Sequence, residues 1–168
     1  KSVTEIGDSA FKGCTSLEEM TLPFVGMSKE AENEKSVFGI IFGYTAADRS
    51  STIVDGAIYQ YSRSYTYYHY YIPSSLRKVT ITDAAKIPEN AFYNCSMLTE
   101  VNINEGITAI GVEAFYNCSG ITEITVPGRV TSIGSSAFSG CTKLAGVDLP
   151  ETITNISSGA FSGAPVAA

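Results

Sequence analysis

Tryptophan is absent from this 168-residue chain, histidine occurs once (His69), and Lys plus Arg number only 11 against 17 Asp plus Glu. Each shortage excludes something. A formal net charge of −6 repels a polyphosphate backbone, so no nucleic acid is expected as a partner. The longest nearly apolar run, Val37 to Tyr44, contains two glycines and falls far short of the roughly 20 residues that cross a bilayer, so no membrane insertion is expected. One histidine and no Gly-x-Ser-x-Gly turn leave a nucleophile without a positioned base, and no Gly-x-Gly-x-x-Gly or phosphate loop is present. The expectation is a non-enzyme without cofactor. Close Cys or His pairs that could converge on zinc are missing too, so no metal is expected. Behind Lys1 there is no charged segment followed by an apolar stretch, which places any export signal further upstream or has it removed. What is present, 44% hydrophobic and 17% charged residues, suffices for one domain with a core.

The chain repeats itself. Ala-Phe occurs at Ala10-Phe11, Ala91-Phe92, Ala114-Phe115, Ala137-Phe138 and Ala160-Phe161, the last four spaced by 23 residues. Four residues before each Ala stands Ile6, Ile87, Ile110, Ile133 or Ile156, and four after it Cys14, Cys95, Cys118, Cys141 or Ala164. Leu17, Leu98, Ile121 and Leu144 follow the cysteines, and beyond them come the pairs Met20/Leu22, Val101/Ile103, Ile124/Val126 and Val147/Leu149. The alternation in those pairs predicts a short strand with one buried face, and stacked copies would line such strands up in a parallel sheet. The Ala-Phe segment reads as a short helical turn on the opposite side, with Pro88 tolerated in its first turn and Asp8 or Glu89 near its N-terminus. The residue before the Cys position is always Gly or Asn (Gly13, Asn94, Asn117, Gly140, Gly163), the two residues that enter the left-handed region most cheaply. Both chain ends cut through the pattern, which implies a fragment of a longer array in which each coil is stabilised by its neighbours.

These residues resemble the BspA-like subclass of bacterial leucine-rich repeats, whose signature is similar to Ile-Gly-x-x-Ala-Phe-x-x-Cys-x-x-Leu-x-x-Val-x-Ile-Pro. The matching stretches run from Ile6-Gly7 to Pro23, from Ile110-Gly111 to Pro127 and from Ile133-Gly134 to Pro150. The resemblance implies an α/β repeat solenoid, a right-handed coil with a parallel β-sheet on one face and short helical turns on the other. It also implies a secreted or surface-attached bacterial protein without a catalytic centre, with roles in adhesion or host-protein binding.

The array is interrupted at residues 24–75. Leu17 and its counterpart Leu76 lie 59 residues apart, 36 more than one period, and the Ala-Phe-x-x-Cys element of that repeat is missing. The run Val37 to Phe42 is expected to take its place as an apolar plug. Beyond it, Tyr59/Tyr61 and Tyr65/Tyr67/His69/Tyr71 alternate at period two around Ser62-Arg63-Ser64, which predicts a β-hairpin projecting from the solenoid. Tyrosine combines rigid contact area with a polar tip, so Tyr59, Tyr61, Tyr65, Tyr67, His69 and Tyr71 are candidate ligand-binding residues, with Tyr65, Tyr67, His69 and Tyr71 as the contact row. The competing reading is a satellite core in which these rings pack on one another and on the plug.

On the exposed strand face the register places Glu19, Lys78, Glu100, Glu123 and Gly146 in one row, with Asn102 in the next. This reads as a solvated surface, with Glu19, Lys78, Glu100, Asn102 and Glu123 as a weaker binding patch for a basic partner or a hard cation. The four cysteines share one address on successive coils, where parallel side chains about 4.8 Å apart do not meet disulfide geometry, so buried free thiols are expected. The function expected is non-catalytic recognition of an extracellular protein or glycan by a monomeric surface or secreted module. The alternative is a structural spacer that displays another domain.

Overall fold

In a computed structural model, described for residues 3–44, 57–62 and 66–166 and for the backbone alone at 61, 62, 66 and 67, the chain forms a solenoid of stacked coils. Its strands are β1 (Glu19–Leu22), β2 (Ile58–Ser62), β3 (Thr66–Tyr70), β4 (Lys78–Ile81), β5 (Glu100–Asn102), β6 (Ala109–Ile110), β7 (Glu123–Thr125), β8 (Ser132–Ile133), β9 (Gly146–Asp148) and β10 (Asn155–Ile156). One face carries the parallel ladder expected from the alternation. Glu19 pairs with Lys78 and Lys78 with Glu100, while Glu123 pairs with Gly146, with β5 and β7 side by side but in separate ladders. Met20, Val79, Val101 and Ile124 point inward from these strands and are buried.

The isoleucine column forms a second parallel ladder that the apolar pattern alone does not announce. Ile110 lies in register with Ile133, Ile133 with Ile156, and Ile87 bridges to Ile110.

The Ala-Phe segment corrects the expectation of helical turns, since no α-helix occurs among the described residues. In one coil the N–H groups of Glu113, Phe115 and Asn117 donate to Ser135, Ala137 and Ser139 of the next coil at 3.0, 2.8 and 2.7 Å. Between them, Ala114, Tyr116 and Cys118 close back onto carbonyls three residues earlier. The cause is a second left-handed position. Besides the Gly/Asn column, Ser9, Asn90, Glu113, Ser136 and Gly159 have φ between 52° and 67°. A left-handed residue every fourth position breaks the run of right-handed residues that an α-helix requires and turns alternate N–H groups along the solenoid axis. The outer face is thereby bonded coil to coil.

Inside, the phenylalanines form a ladder. Phe92, Phe115, Phe138 and Phe161 follow one another at centroid distances of 5.1 to 5.2 Å, with interplanar angles of 12° or less. The cysteine column lies beside it, where Cys118 and Cys141 Sγ reach the carbonyls of Phe92 and Phe115 at 3.0 and 3.2 Å. All four thiols are free. Burial raises the pKa of Cys95 and Cys118 well above the ordinary thiol range and pushes Cys141 up to about 12. Cys14 departs from the expected burial and is exposed.

The plug fills the gap in the ladder. Phe38–Phe42 is a short 3₁₀ helix with every residue buried. Ser9 and Phe11 donate to the carbonyls of Ile40 and Ile41 at 3.0 and 2.7 Å, and Phe38 donates to Ala91 at 2.8 Å, so the plug bonds to the coil on each side. It supplies two rings where a repeat supplies one. Phe42 lies 6.1 Å from Phe11 and 5.3 Å from Phe38, which lies 5.1 Å from Phe92.

Candidate functional site

The tyrosine-rich insertion pairs β2 with β3 antiparallel, in the register Tyr59 with His69 and Tyr61 with Tyr67. Its attachment runs through a residue that the sequence pattern does not single out. Gln60 is fully buried, accepts the Gly39 N–H at 2.6 Å and donates from Nε2 to the carbonyls of Tyr93 at 3.1 Å and Ala91 at 3.4 Å. No signal marks it, since nothing in an alternating strand distinguishes a glutamine that spans two coils from one facing water. Replacing it with alanine leaves the Gly39 N–H without this acceptor in a dry site, at a cost of about 1–3 kcal/mol. Urea unfolding of Gln60→Ala should show that loss, and an unchanged midpoint would remove Gln60 from this role.

The outer asparagines extend the attachment. Asn117 Nδ2 donates to Asn94 Oδ1 at 3.0 Å, and Asn94 Nδ2 donates to the Tyr59 carbonyl at 3.1 Å. Tyr59, Tyr93 and Tyr116 form a row with centroids 6.4 and 4.8 Å apart, in which Tyr93 stacks on Tyr116 and the Tyr59 ring is tilted by 54° to Tyr93. In this respect β2 continues the outer face where the missing repeat element would have stood.

The expected contact row does not form one exposed face. His69 is only 1% exposed, and neither ring nitrogen has a hydrogen-bond partner. Together with Tyr59, Asn94 and Ser96 it lines a cavity of about 230 Å³. The adjacent Tyr70 is also buried, with its ring against Gly39, where an added Cβ would fall 2.3 Å from the ring. Burial, then the neighbouring Tyr68, Asp8, Glu34 and Tyr44, raises the Tyr70 pKa. Consecutive side chains are covered because the inner end of the hairpin is wedged between plug and outer turns, so period two does not separate an inside from an outside there. Tyr71 follows the strand and is 44% exposed, as is Tyr44, a residue the alternation left aside. Tyr44 meets Tyr68 edge to face at 5.7 Å, and the Tyr71 N–H donates to Gly43 at 3.2 Å. Tyr65 and the side chains of Tyr61 and Tyr67 lie outside the described residues.

On the sheet face, Lys78 Nζ sits 2.7 Å from Glu100 Oε1, which also accepts from Asn102 Nδ2 at 2.8 Å. These hydrogen bonds lower the Glu100 pKa, and the same bond raises that of Lys78. Glu100 is therefore already satisfied. Glu19 on β1 and Glu123 on β7 stand on the flanking strands, and Glu123 helps to line a cavity of about 280 Å³ with Glu100 and Asn102. Among the described residues no group of three or more His, Cys, Asp or Glu could hold a metal ion, and no helix is long and apolar enough to cross a membrane.

The parallel ladders, the phenylalanine stack and the cysteine column coincide with a family model described as BspA type leucine rich repeat region, which matches residues 1–32 and 63–167 in six copies. The chain belongs to the BspA-type leucine-rich repeat family. Leucine-rich repeats are generally protein-binding modules, and among repeats of this type the unmatched stretch, 33–62, is the one that holds the plug and β2. A leucine-rich repeat protein from Bacteroides ovatus has a similar crystal structure, with a TM-score of 0.58 and 31% identity over 95% of this chain and 32% of that one. The leucine-rich repeat protein of T. pallidum is similar over 55% of this chain and 44% of that one, with a TM-score of 0.53 and 33% identity. This chain thus spans about a third of the first protein and less than half of the second. No curated protein matches.

Proposed function

We propose that this BspA-type repeat chain is a non-catalytic, monomeric recognition module that works at the cell surface or after secretion, and that its insertion contacts a protein or glycan partner. The observation that carries this reading is the exposure of both Tyr44 and Tyr71, on backbone segments joined by the Tyr71 N–H to Gly43 bond, in an insertion whose inner residues Gln60, His69 and Tyr70 are buried. Aromatic rings held on a rigid base bind with little loss of side-chain freedom, and the phenolic tips suit polar partners. Tyr59, Tyr61, Tyr65 and Tyr67 extend the contact, and the row Glu19, Lys78, Glu100, Asn102 and Glu123 is a secondary surface.

Arrays of extracellular-matrix proteins and glycans, probed with the intact chain and with Tyr44→Ala/Tyr71→Ala, test the proposal. Both positions are exposed, so the variant should fold, and binding should weaken by about tenfold or more. Binding that survives unchanged would move the contact to the sheet face. Absence of any partner would favour the spacer, which the burial of His69 and Tyr70 supports by making part of the insertion packing.

A further inference from the structure

The insertion and the array share one cavity. Ile58 and Tyr59 of β2, His69 of β3, and Asn94, Ser96 and Asn117 on two successive coils line it, and its volume is about 230 Å³. We propose that it takes a neutral hydroxylated ring, one pyranose unit of a glycan. This rests on the reading of the insertion as a contact surface and names the class of ligand that the surface meets.

His69 is the residue that points to a ligand. It is buried, and neither Nδ1 nor Nε2 has a hydrogen-bond partner. Buried polar side chains in native proteins are paired as a rule, so an orphaned ring in a cavity wall is satisfied by what enters the cavity. A neutral imidazole presents one N–H and one bare nitrogen. A hydroxyl answers either, because it both donates and accepts, whereas a carboxylate only accepts and an ammonium only donates. No Asp, Glu, Lys or Arg stands among the described lining residues, so nothing there pairs with a charged ligand.

The Gly/Asn column supports the same assignment. It reads Gly13, Asn94, Asn117, Gly140 and Gly163, and its two asparagines are the copies that line the cavity. Glycine meets the left-handed backbone requirement equally well, so the amides serve for what they bond. Asn94 is fully engaged, with Nδ2 donating to the Tyr59 carbonyl and Oδ1 accepting from Asn117. Asn117 is exposed and its Oδ1 accepts no hydrogen bond among the described residues, which leaves it, with the exposed Ser96 hydroxyl, to meet a ligand. Ile58 and Tyr59 supply the apolar wall that small-molecule sites combine with a few convergent polar groups, and that the C–H face of a sugar ring covers. The volume lies below the roughly 300–1,000 Å³ of pockets for larger ligands, which suits one sugar ring rather than a chain of them.

The test is an NMR titration of the intact chain with the methyl glycosides of glucose, galactose, mannose and N-acetylglucosamine. N-acetylglutamine amide serves as a neutral ligand that is not a sugar, and glycerol as an acyclic polyol. At least one glycoside should give saturable shifts at the His69 ring protons, the Asn117 side-chain amide and the Ile58 methyl groups at millimolar concentration, with an affinity about tenfold above both controls. His69→Phe puts an apolar ring in place of one whose nitrogens bond nothing in the protein, so it should fold with undiminished stability while affinity falls by about tenfold. Asn117→Gly introduces the residue that the column already carries at Gly140, so it should fold and weaken binding several-fold. No shifts with any glycoside, shifts clustered elsewhere, a control binding as tightly as the best glycoside, or either variant binding like the parent would each overturn the proposal. Array binding lost in Tyr44→Ala/Tyr71→Ala without glycoside shifts would overturn the pyranose site and keep the recognition reading, and absence of both would return the insertion to packing.

Discussion

Phe115→Ala should lower the stability of the chain by about 3–5 kcal/mol, the range for removing a fully buried aromatic ring. The ring is fully buried between Phe92 and Phe138 at 5.2 and 5.1 Å, nearly parallel to both. The loss belongs at the upper end because the cavity cannot collapse. On this side of the coil the backbone is bonded to the next one through the N–H groups of Glu113, Phe115 and Asn117, and Phe92 holds it from the other side through the Ala114 carbonyl. Those bonds fix the spacing between coils, so neighbouring rings cannot close the gap. Urea unfolding followed by far-UV circular dichroism measures the change, and a loss under about 1 kcal/mol would mean that the ladder is loosely packed. Since repeat arrays are held by nearest-neighbour interfaces, Phe92→Ala combined with Phe115→Ala should depart from additivity.

The second large effect concerns a residue with no side chain. Gly134→Ala should cost about 3 kcal/mol, the upper part of the range for overpacking, because an added Cβ would lie 2.5 Å from the Val112 nitrogen and 2.6 Å from the Gly111 carbonyl carbon. Both obstacles are backbone, which cannot rotate away as a side chain could. Gly111 meets the same obstruction from Pro88 and Glu89 one coil earlier, so the Ile-Gly dipeptide of the repeat records a close approach of successive coils. Gly128→Ala is the control. Nothing lies within 4 Å of its added Cβ, and its stability should stay within about 0.5 kcal/mol of the parent. Equal losses at Gly128 and Gly134 would show that chain flexibility, rather than coil contact, sets the cost.

Much of the array was legible because a repeat gives each residue type several independent chances to reveal its environment. The row Glu19, Lys78, Glu100 and the row Glu123, Gly146 appear in the register expected from spacing, and the Gly/Asn column is left-handed from Gly13 to Gly163. The second left-handed column escaped notice because Ser9, Asn90, Glu113, Ser136 and Gly159 share no side-chain chemistry. Only Gly and Asn advertise a positive φ. Glutamate and serine adopt it when hydrogen bonds to the next coil outweigh the cost.

The candidate sites divide the same way. Tyr71 is exposed as its place in the alternating row suggested, whereas His69, two residues earlier in that row, is buried. Gln60, Tyr44 and Asn90 carry no motif, and each acquires its surroundings from a segment distant in the chain: Gly39 and Tyr93 for Gln60, Tyr68 for Tyr44, and residues 31–36 for Asn90. The sequence alone determined the period, the buried columns, the parallel strands and the family, because in a stacked array the neighbours of a residue are its own copies one period away. Tertiary structure decided how the insertion sits on that array, which of its aromatic rings face water and where a cavity opens, because those contacts join segments that no period relates.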